Sequence, residues 1–392
     1  MTTKTQVGSS SNANPTKAGK EACLQAIEGL NNINLLIVFS SSSYEQQEML
    51  SAIREISDDV PLIGCSTAGE IIDSGPTSKS VAVMAIESDS MKCVVAEGEN
   101  IKPDPKEAGM RLAKKLTAQA GGASINSVIM LIDVLTGNGA DTVRGINKVL
   151  GDNTLIVGGA AGDDFSFKET YEYLNDKVLP SSLVGAGFYG DNVISVGVRH
   201  GWVPIGSPMK VTKSHGAVIN EIDGKPALSI YADYFGEKAK SLKTEVLGKM
   251  ALVYPLGLAI DNSDELLLRA PLSADENGAI TFAAEVPEGS EIRLMIGSKS
   301  KAIDAAKEAA RNALKDLEGG KPAGIIVFNC IARQKLFNRE AKDEIDAIKE
   351  VLGKDVPIIG FYTYGEIAPV NGKSDVICRF HNETAVVTVI GE

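Results

Sequence analysis

Glu70 stands in the phrase Pro61-Leu-Ile-Gly-Cys-Ser-Thr-Ala-Gly-Glu-Ile71, and Glu366 in Pro357-Ile-Ile-Gly-Phe-Tyr-Thr-Tyr-Gly-Glu-Ile367; the two are identical at seven of eleven positions. Each reads as a buried apolar strand running into a glycine turn, so each presents a carboxylate beside backbone N–H groups. With Arg333 added, these are the groups a small zwitterion needs. The glutamates suit an ammonium, and the guanidinium and turn amides suit a carboxylate. The expectation is that the two turns aim their carboxylates into one solvent-reachable cleft. The competing reading is that each glutamate only caps a neighbouring helix or turn.

Other residues invite different chemistry. Cys65 and Cys330 would need a nearby base to act as thiolate nucleophiles, and the spacing supplies none, so they read as buried small thiols. No catalytic residue is assigned and the chain is not read as an enzyme, a thiol enzyme being an alternative. His200 is the best of three histidines for an axial haem ligand, since Trp202 and Pro204 are placed to wall an apolar pocket, with His215 and His381 behind it. No other cofactor is expected. Five scattered cysteines without a C-x-x-C pair suggest neither a disulfide framework nor a zinc site. Gly185-Ala-Gly-Phe-Tyr-Gly190 matches the letters of a dinucleotide fingerprint but lies inside an apparent strand with no helix behind it, which argues against nucleotide binding.

The elements that must position these residues follow from pattern. The 392 residues, 44% of them apolar, suffice for two or three domains with sizeable cores. A formal charge of −12 and a pI near 5.0 argue against nucleic acid and anionic membranes as partners. With no long apolar run and no signal-peptide pattern, the expected location is cytoplasmic. Residues 1–16 are polar enough to predict a disordered tail. A helix follows from Lys17 to near Gly29, then the continuous apolar strand Ile33 to Phe39, of the type covered on both faces. Ser43 and Gln46 form a capping-box signal for a helix carrying Leu50, Ile53 and Ile56. This strand-helix-strand-turn unit recurs from Val128 to Asp164, with Asp164 in the place of the glutamate, and from Gly324 to the second phrase. Its strands read as parallel. Lys79 to Ala96 and Leu183 to Val198 read as antiparallel hairpins. The predicted fold class is α/β: two related mixed-sheet α/β domains with internal strand-helix-strand repeats, spanning 17–230 and 231–392, with the boundary in the helical patch after Pro226.

Several phrases together resemble a known family. Gly64-Cys-Ser-Thr-Ala-Gly-Glu70, Gly158-Gly-Ala-Ala-Gly-Asp163, His200-Gly-Trp-Val-Pro-Ile-Gly206 with Val211-Thr-Lys213, and Asp223-Gly-Lys-Pro-Ala-Leu228 resemble the N-terminal FIST domain. Tyr254-Pro-Leu-Gly-Leu258, Leu268-Arg-Ala-Pro271, Phe328-Asn-Cys330 with Arg333, and Gly360 to Pro369 with His381-Asn382 resemble the C-terminal FIST domain. The resemblance implies a cytoplasmic sensory protein that binds a small polar ligand, an amino acid being the usual proposal. It would signal to a separate protein such as a histidine kinase, a cyclic-di-GMP enzyme or a chemoreceptor, since the chain leaves no room for an output domain of its own. The alternative it implies is a haem-binding nitric oxide sensor. The residues expected to contact ligand are Gly64, Cys65, Ser66, Thr67 and Glu70 in the first phrase, Tyr362, Tyr364 and Glu366 in the second, and Asn329 and Arg333 before it.

Overall fold

A continuous apolar strand needs cover on both faces, and the chain provides it by building one unit three times around a shared interior. The computed structural model describes residues 2–191, 194–243, 252–260, 263, 265–370 and 377–392. The first unit runs β1 (Thr3–Ser10), α1 (Pro15–Ile27), β2 (Ile33–Ser41), α2 (Gln46–Ser57), β3 (Leu62–Thr67), the small hairpin β4 (Glu70–Ile72) and β5 (Gly75–Thr77), and β6 (Val81–Ser88). The second repeats that order: β7 (Met91–Gly98), α3 (Pro105–Gln119), β8 (Ser127–Ile132), α4 (Gly139–Leu150), β9 (Leu155–Ala160), the hairpin β10 (Tyr171–Leu174) and β11 (Lys177–Pro180), and β12 (Leu183–Gly190). The third opens with β13 (Ile194–Arg199) and is then interrupted by an insert. The insert comprises β14 (Val203–His215), β15 (Val218–Ile222), β16 (Lys225–Pro226), α5 (Ala227–Phe235), β17 (Leu256–Leu258), β18 (Leu267–Arg269), β19 (Pro271–Ala274), β20 (Ile280–Phe282) and β21 (Glu291–Ile296). The unit then resumes with α6 (Lys299–Lys315), β22 (Pro322–Cys330), α7 (Ile331–Phe337), α8 (Ala341–Leu352), β23 (Ile358–Thr363), the hairpin β24 (Glu366–Pro369) and β25 (Cys378–His381), and β26 (Ala385–Gly391).

The three units exchange their hairpins in a cycle. β4–β5 of the first unit completes the sheet of the third, β10–β11 of the second completes that of the first, and β24–β25 of the third completes that of the second. Each sheet therefore has the same order, exemplified by β1-β6-β2-β3-β10-β11, with one parallel pair (β2–β3, β8–β9, β22–β23) among antiparallel neighbours. The mixed α/β sheets and internal repeats predicted from sequence are present. The inner faces meet in one apolar core, where the Phe39 and Phe361 rings lie 4.5 Å apart, and the helices cover the outer faces. The insert has its own core around Val211, Tyr231, Leu256 and Phe282. Among the described residues no helix is long and apolar enough to cross a membrane.

Several local expectations are corrected. Residues 1–16 are not a disordered tail: Thr3 to Ser10 pair antiparallel with β6, and α1 begins at Pro15 behind an Asn14 cap whose side chain accepts from Lys17 N–H at 2.9 Å. This is an edge strand held by backbone pairing, and Gly8 lets it lie directly on α1, because a Cβ there would fall on the Ala22 carbonyl oxygen. The two expected hairpins do not form either. β6 and β7 belong to different sheets, as do β12 and β13, so the chain passes from one unit to the next between them. The capping box at α2 is likewise absent, since Gln46 Nε2 donates to the Ser41 and Tyr44 carbonyls instead.

Candidate functional site

In each unit the second central strand approaches its parallel neighbour at a glycine. A Cβ at Gly64, Gly158 or Gly360 would collide with the carbonyl oxygen of Val38, Met130 or Val327 respectively. The strands then bend and bond to one another. Ala68 N donates to Tyr362 O at 3.1 Å, Ala160 N to Gly365 O at 2.7 Å, and Gly162 N to Ser66 O at 3.0 Å, which closes a ring through all three units. The glutamates open the exchanged hairpins. By register Glu70 pairs with Phe361, Glu366 with Gly159, and Glu172 with Cys65. Glu172, not Asp164, is thus the third counterpart. Asp164 instead accepts from the Ser41 and Ser42 hydroxyls.

These carboxylates do not floor a cleft. Glu70, Glu172 and Glu366 are all fully buried. Thr67 Oγ and Ser80 donate to Glu70, and Thr363 Oγ and the Thr384 amide donate to Glu366, so two turns satisfy their own acid. Neither Glu172 oxygen has a donor in hydrogen-bond geometry, although the Ser182 amide lies on its side. Desolvation raises all three pKa values: Glu70 to about 7, Glu366 to about 8, and Glu172 well above the ordinary carboxylate range. The expected common recess is therefore corrected: both glutamates lie inside the protein, as keystones of the turns.

The remaining predicted contacts are structural as well. Arg333 is fully buried and donates from Nε to Glu344 Oε1 at 2.8 Å and from Nη2 to Ala302 O at 2.7 Å, with Nη1 on the His200 and Glu383 carbonyls. Asn329 Nδ2 donates to the other Glu344 oxygen at 2.6 Å, and Tyr362 is buried nearby. The guanidinium fork has nothing left for a ligand. Ser66 Oγ donates to Gly162 O at 2.8 Å, and Tyr364 OH donates to Asp163, whose carboxylate also accepts four successive amides, Ser166 to Glu169. Cys65 and Cys330 are buried, and desolvation raises both thiols well above their ordinary pKa, so neither is poised as a thiolate. His200 does not fit an axial haem ligand: Nδ1 accepts from Trp202 N at 3.0 Å, and Nε2, without a hydrogen bond in good geometry, lies 3.3 Å from Glu265 Oε2, so a carboxylate stands where the iron would be.

A cavity of about 530 Å³ lies elsewhere, at the seam where the insert meets the second and third units. α4 contributes Val143, Arg144 and Lys148; the insert contributes Leu267, Arg269 and Glu285; the exchanged hairpin contributes Arg379 and Phe380. Arg144 bridges Asp141 and Glu285, each at 2.7 Å. Arg269 is 3% exposed and donates only to carbonyls, from Nε to Glu285 O at 2.8 Å and from Nη1 to Leu268 O and Phe380 O; desolvation lowers its pKa to about 10. None of these was singled out as a ligand contact from sequence. The available signal was an arginine inside the apolar run Leu266 to Ala270, a costly placement unless something uses it.

The ring of mixed sheets with its inserted sheet defines the class of the protein. The chain matches the FIST N domain over residues 34–225 and the FIST C domain over residues 227–369, and it belongs to the FIST family. FIST domains are signal-transduction sensor domains. The junction between the two matched segments falls in β16, inside the insert, so the C-terminal segment also closes the ring begun by the N-terminal one. The chain is similar to the uncharacterized protein MJ1623 of Methanocaldococcus jannaschii, 26% identical over 412 residues that cover 97% of this chain and 77% of that one. It is 30% identical over 223 residues to the uncharacterized protein Rv0628c of Mycobacterium tuberculosis, a match covering 56% of this chain and 57% of the relative's length. Among solved structures, a cyanuric acid hydrolase from A. caulinodans aligns over 99% of both chains with a TM-score of 0.37 and 9% identity, and at that likeness nothing about activity transfers.

Proposed function

We propose that this chain is a cytoplasmic small-ligand-binding sensor that takes an amino acid or similar small polar metabolite and passes the signal to a separate partner protein, such as a histidine kinase, a cyclic-di-GMP enzyme or a chemoreceptor. The observation that carries this reading is the seam cavity, whose walls belong to two differently built bodies and bear guanidinium and carboxylate groups together. A ligand that touches both walls stabilises only the arrangements that hold them at the right separation. Occupancy then shifts the equilibrium between arrangements by the difference in affinity, which is the energetic requirement of a sensor. The signal surface would be the insert, which joins the third unit through β14 and β21.

A melting screen of the full chain against the L-amino acids and related metabolites tests the proposal. A ligand present at a hundred times its Kd adds about 2.7 kcal/mol, so a rise in Tm of a few degrees is expected for at least one compound. A flat screen would contradict it.

A further inference from the structure

We infer that the seam cavity is an anion site, whose ligand carries a carboxylate or phosphate group held between Arg269 and Arg379. The inference rests on the sensor reading and narrows its ligand to a chemical class. The starting point is a contrast of charge. The whole chain carries −12, yet five basic and only two acidic side chains line this cavity. Cationic side chains gathered in one recess repel one another and favour an anion as the bound species.

Neither arginine has a carboxylate hydrogen-bonded to it among the described residues. Both Glu285 oxygens are taken by Arg144, at 2.7 and 3.1 Å, so that carboxylate acts on Arg269 only through space, while its backbone carbonyl accepts from Arg269 Nε. Arg269 is buried with three bonds to neutral carbonyls, and its Nη2 makes no hydrogen bond among the described residues. Arg379, half-buried across the cavity, has no ion-pair partner among the described residues, and its charge opposes that of Arg269. Two like charges sharing a partly dry recess repel each other, and an anion between them, met by the open donor, relieves that repulsion. The open Nη2 of Arg269 and the planar fork of Arg379 suit the oxygens of a carboxylate or phosphate. The apolar side chains Val143, Leu267 and Phe380 line the same recess, so the rest of the ligand is compact and includes some hydrocarbon.

Calorimetric titration of the full chain with succinate, glycerol 3-phosphate, inorganic phosphate and the neutral isostere succinamide tests this, at low and at raised salt. The expected result is binding by a carboxylate or a phosphate probe, which names the source, with the neutral isostere at least about tenfold weaker and affinity falling with salt. Arg379→Gln is the diagnostic variant, because its half-exposed side chain is not holding the fold. It should weaken the anion at least about tenfold while the ligand-free Tm stays level or rises, since a like-charge repulsion has been removed. Succinamide binding as well as succinate, or unchanged anion affinity in Arg379→Gln, would overturn the inference, as would the failure of every anion to bind. If an uncharged or cationic compound nevertheless raises Tm in the broad screen, the anion assignment falls and the sensor reading stands. If nothing does, both fall.

Discussion

Arg333 shows how a residue that looks like ligand equipment is consumed by the fold. Its fork holds Glu344, the Ala302 carbonyl and the loop at His200, with its guanidinium carbon 5.6 Å from the centre of the Trp202 ring. Removing one partner of a fully buried pair leaves the other charge stranded, so Arg333→Met should destabilise by about 3–5 kcal/mol in denaturant unfolding. A ligand-contact role would instead leave stability largely intact. The turn glutamates make a pH prediction. Their folded pKa values, about 7 for Glu70 and about 8 for Glu366, exceed the ordinary 4.5, so the folded state holds protons that the unfolded state has released. Stability is then complete below the ordinary value and is lost as pH rises through 7 and 8, by up to about 1.4 kcal/mol per pH unit for each group. Burial lowers His381 from 6.5 to about 4, which opposes the trend below pH 6.5, so the window to measure lies above it. Tm should fall from pH 6.5 to 8, and the double variant Glu70→Gln, Glu366→Gln should flatten the slope. Glu172 and Glu383, both raised by burial, keep part of it at higher pH.

At the level of elements, the three strand glycines should respond alike. Gly64→Ala, Gly158→Ala and Gly360→Ala each drive a methyl group into a neighbouring carbonyl, and roughly 1–3 kcal/mol or more should be lost from each in urea melts. An effect confined to one position would contradict the equivalence of the units. Deleting residues 2–11 should also lower Tm by several degrees, because β1 pairs along its length with β6; an unchanged Tm would mean a dispensable tail. Much of this was legible in sequence: the apolar run at Ile33 to Phe39, the duplicated glycine phrase and the weaker copy from Val128 all marked real elements. Glu172 was hidden because it follows Gly158 by fourteen residues where Glu70 and Glu366 follow their glycines by six. The extra length is the loop that Asp163 gathers with its four amide bonds. The hairpins were misread because apolar runs around a short turn give the same pattern whether the strands pair or part into separate sheets. β1 was missed because an edge strand held by backbone pairing needs little apolar side chain.

For the whole molecule, three units close a ring through exchanged hairpins, interrupted by the insert between β13 and α6. That architecture seals the glycine turns at the centre and leaves the seam with the insert as the place where two bodies can adjust to a bound molecule. The cavity was not legible because its key residues, Arg144, Arg269 and Arg379, come from three regions more than a hundred residues apart. The most direct measurement is amide hydrogen exchange of the full chain with and without a small molecule that raises its Tm. Protection gathered in α4, in β18 and in β25, with the 64–70 and 360–366 turns unchanged, is the predicted result. Protection centred on those turns, with the seam unaffected, would contradict it.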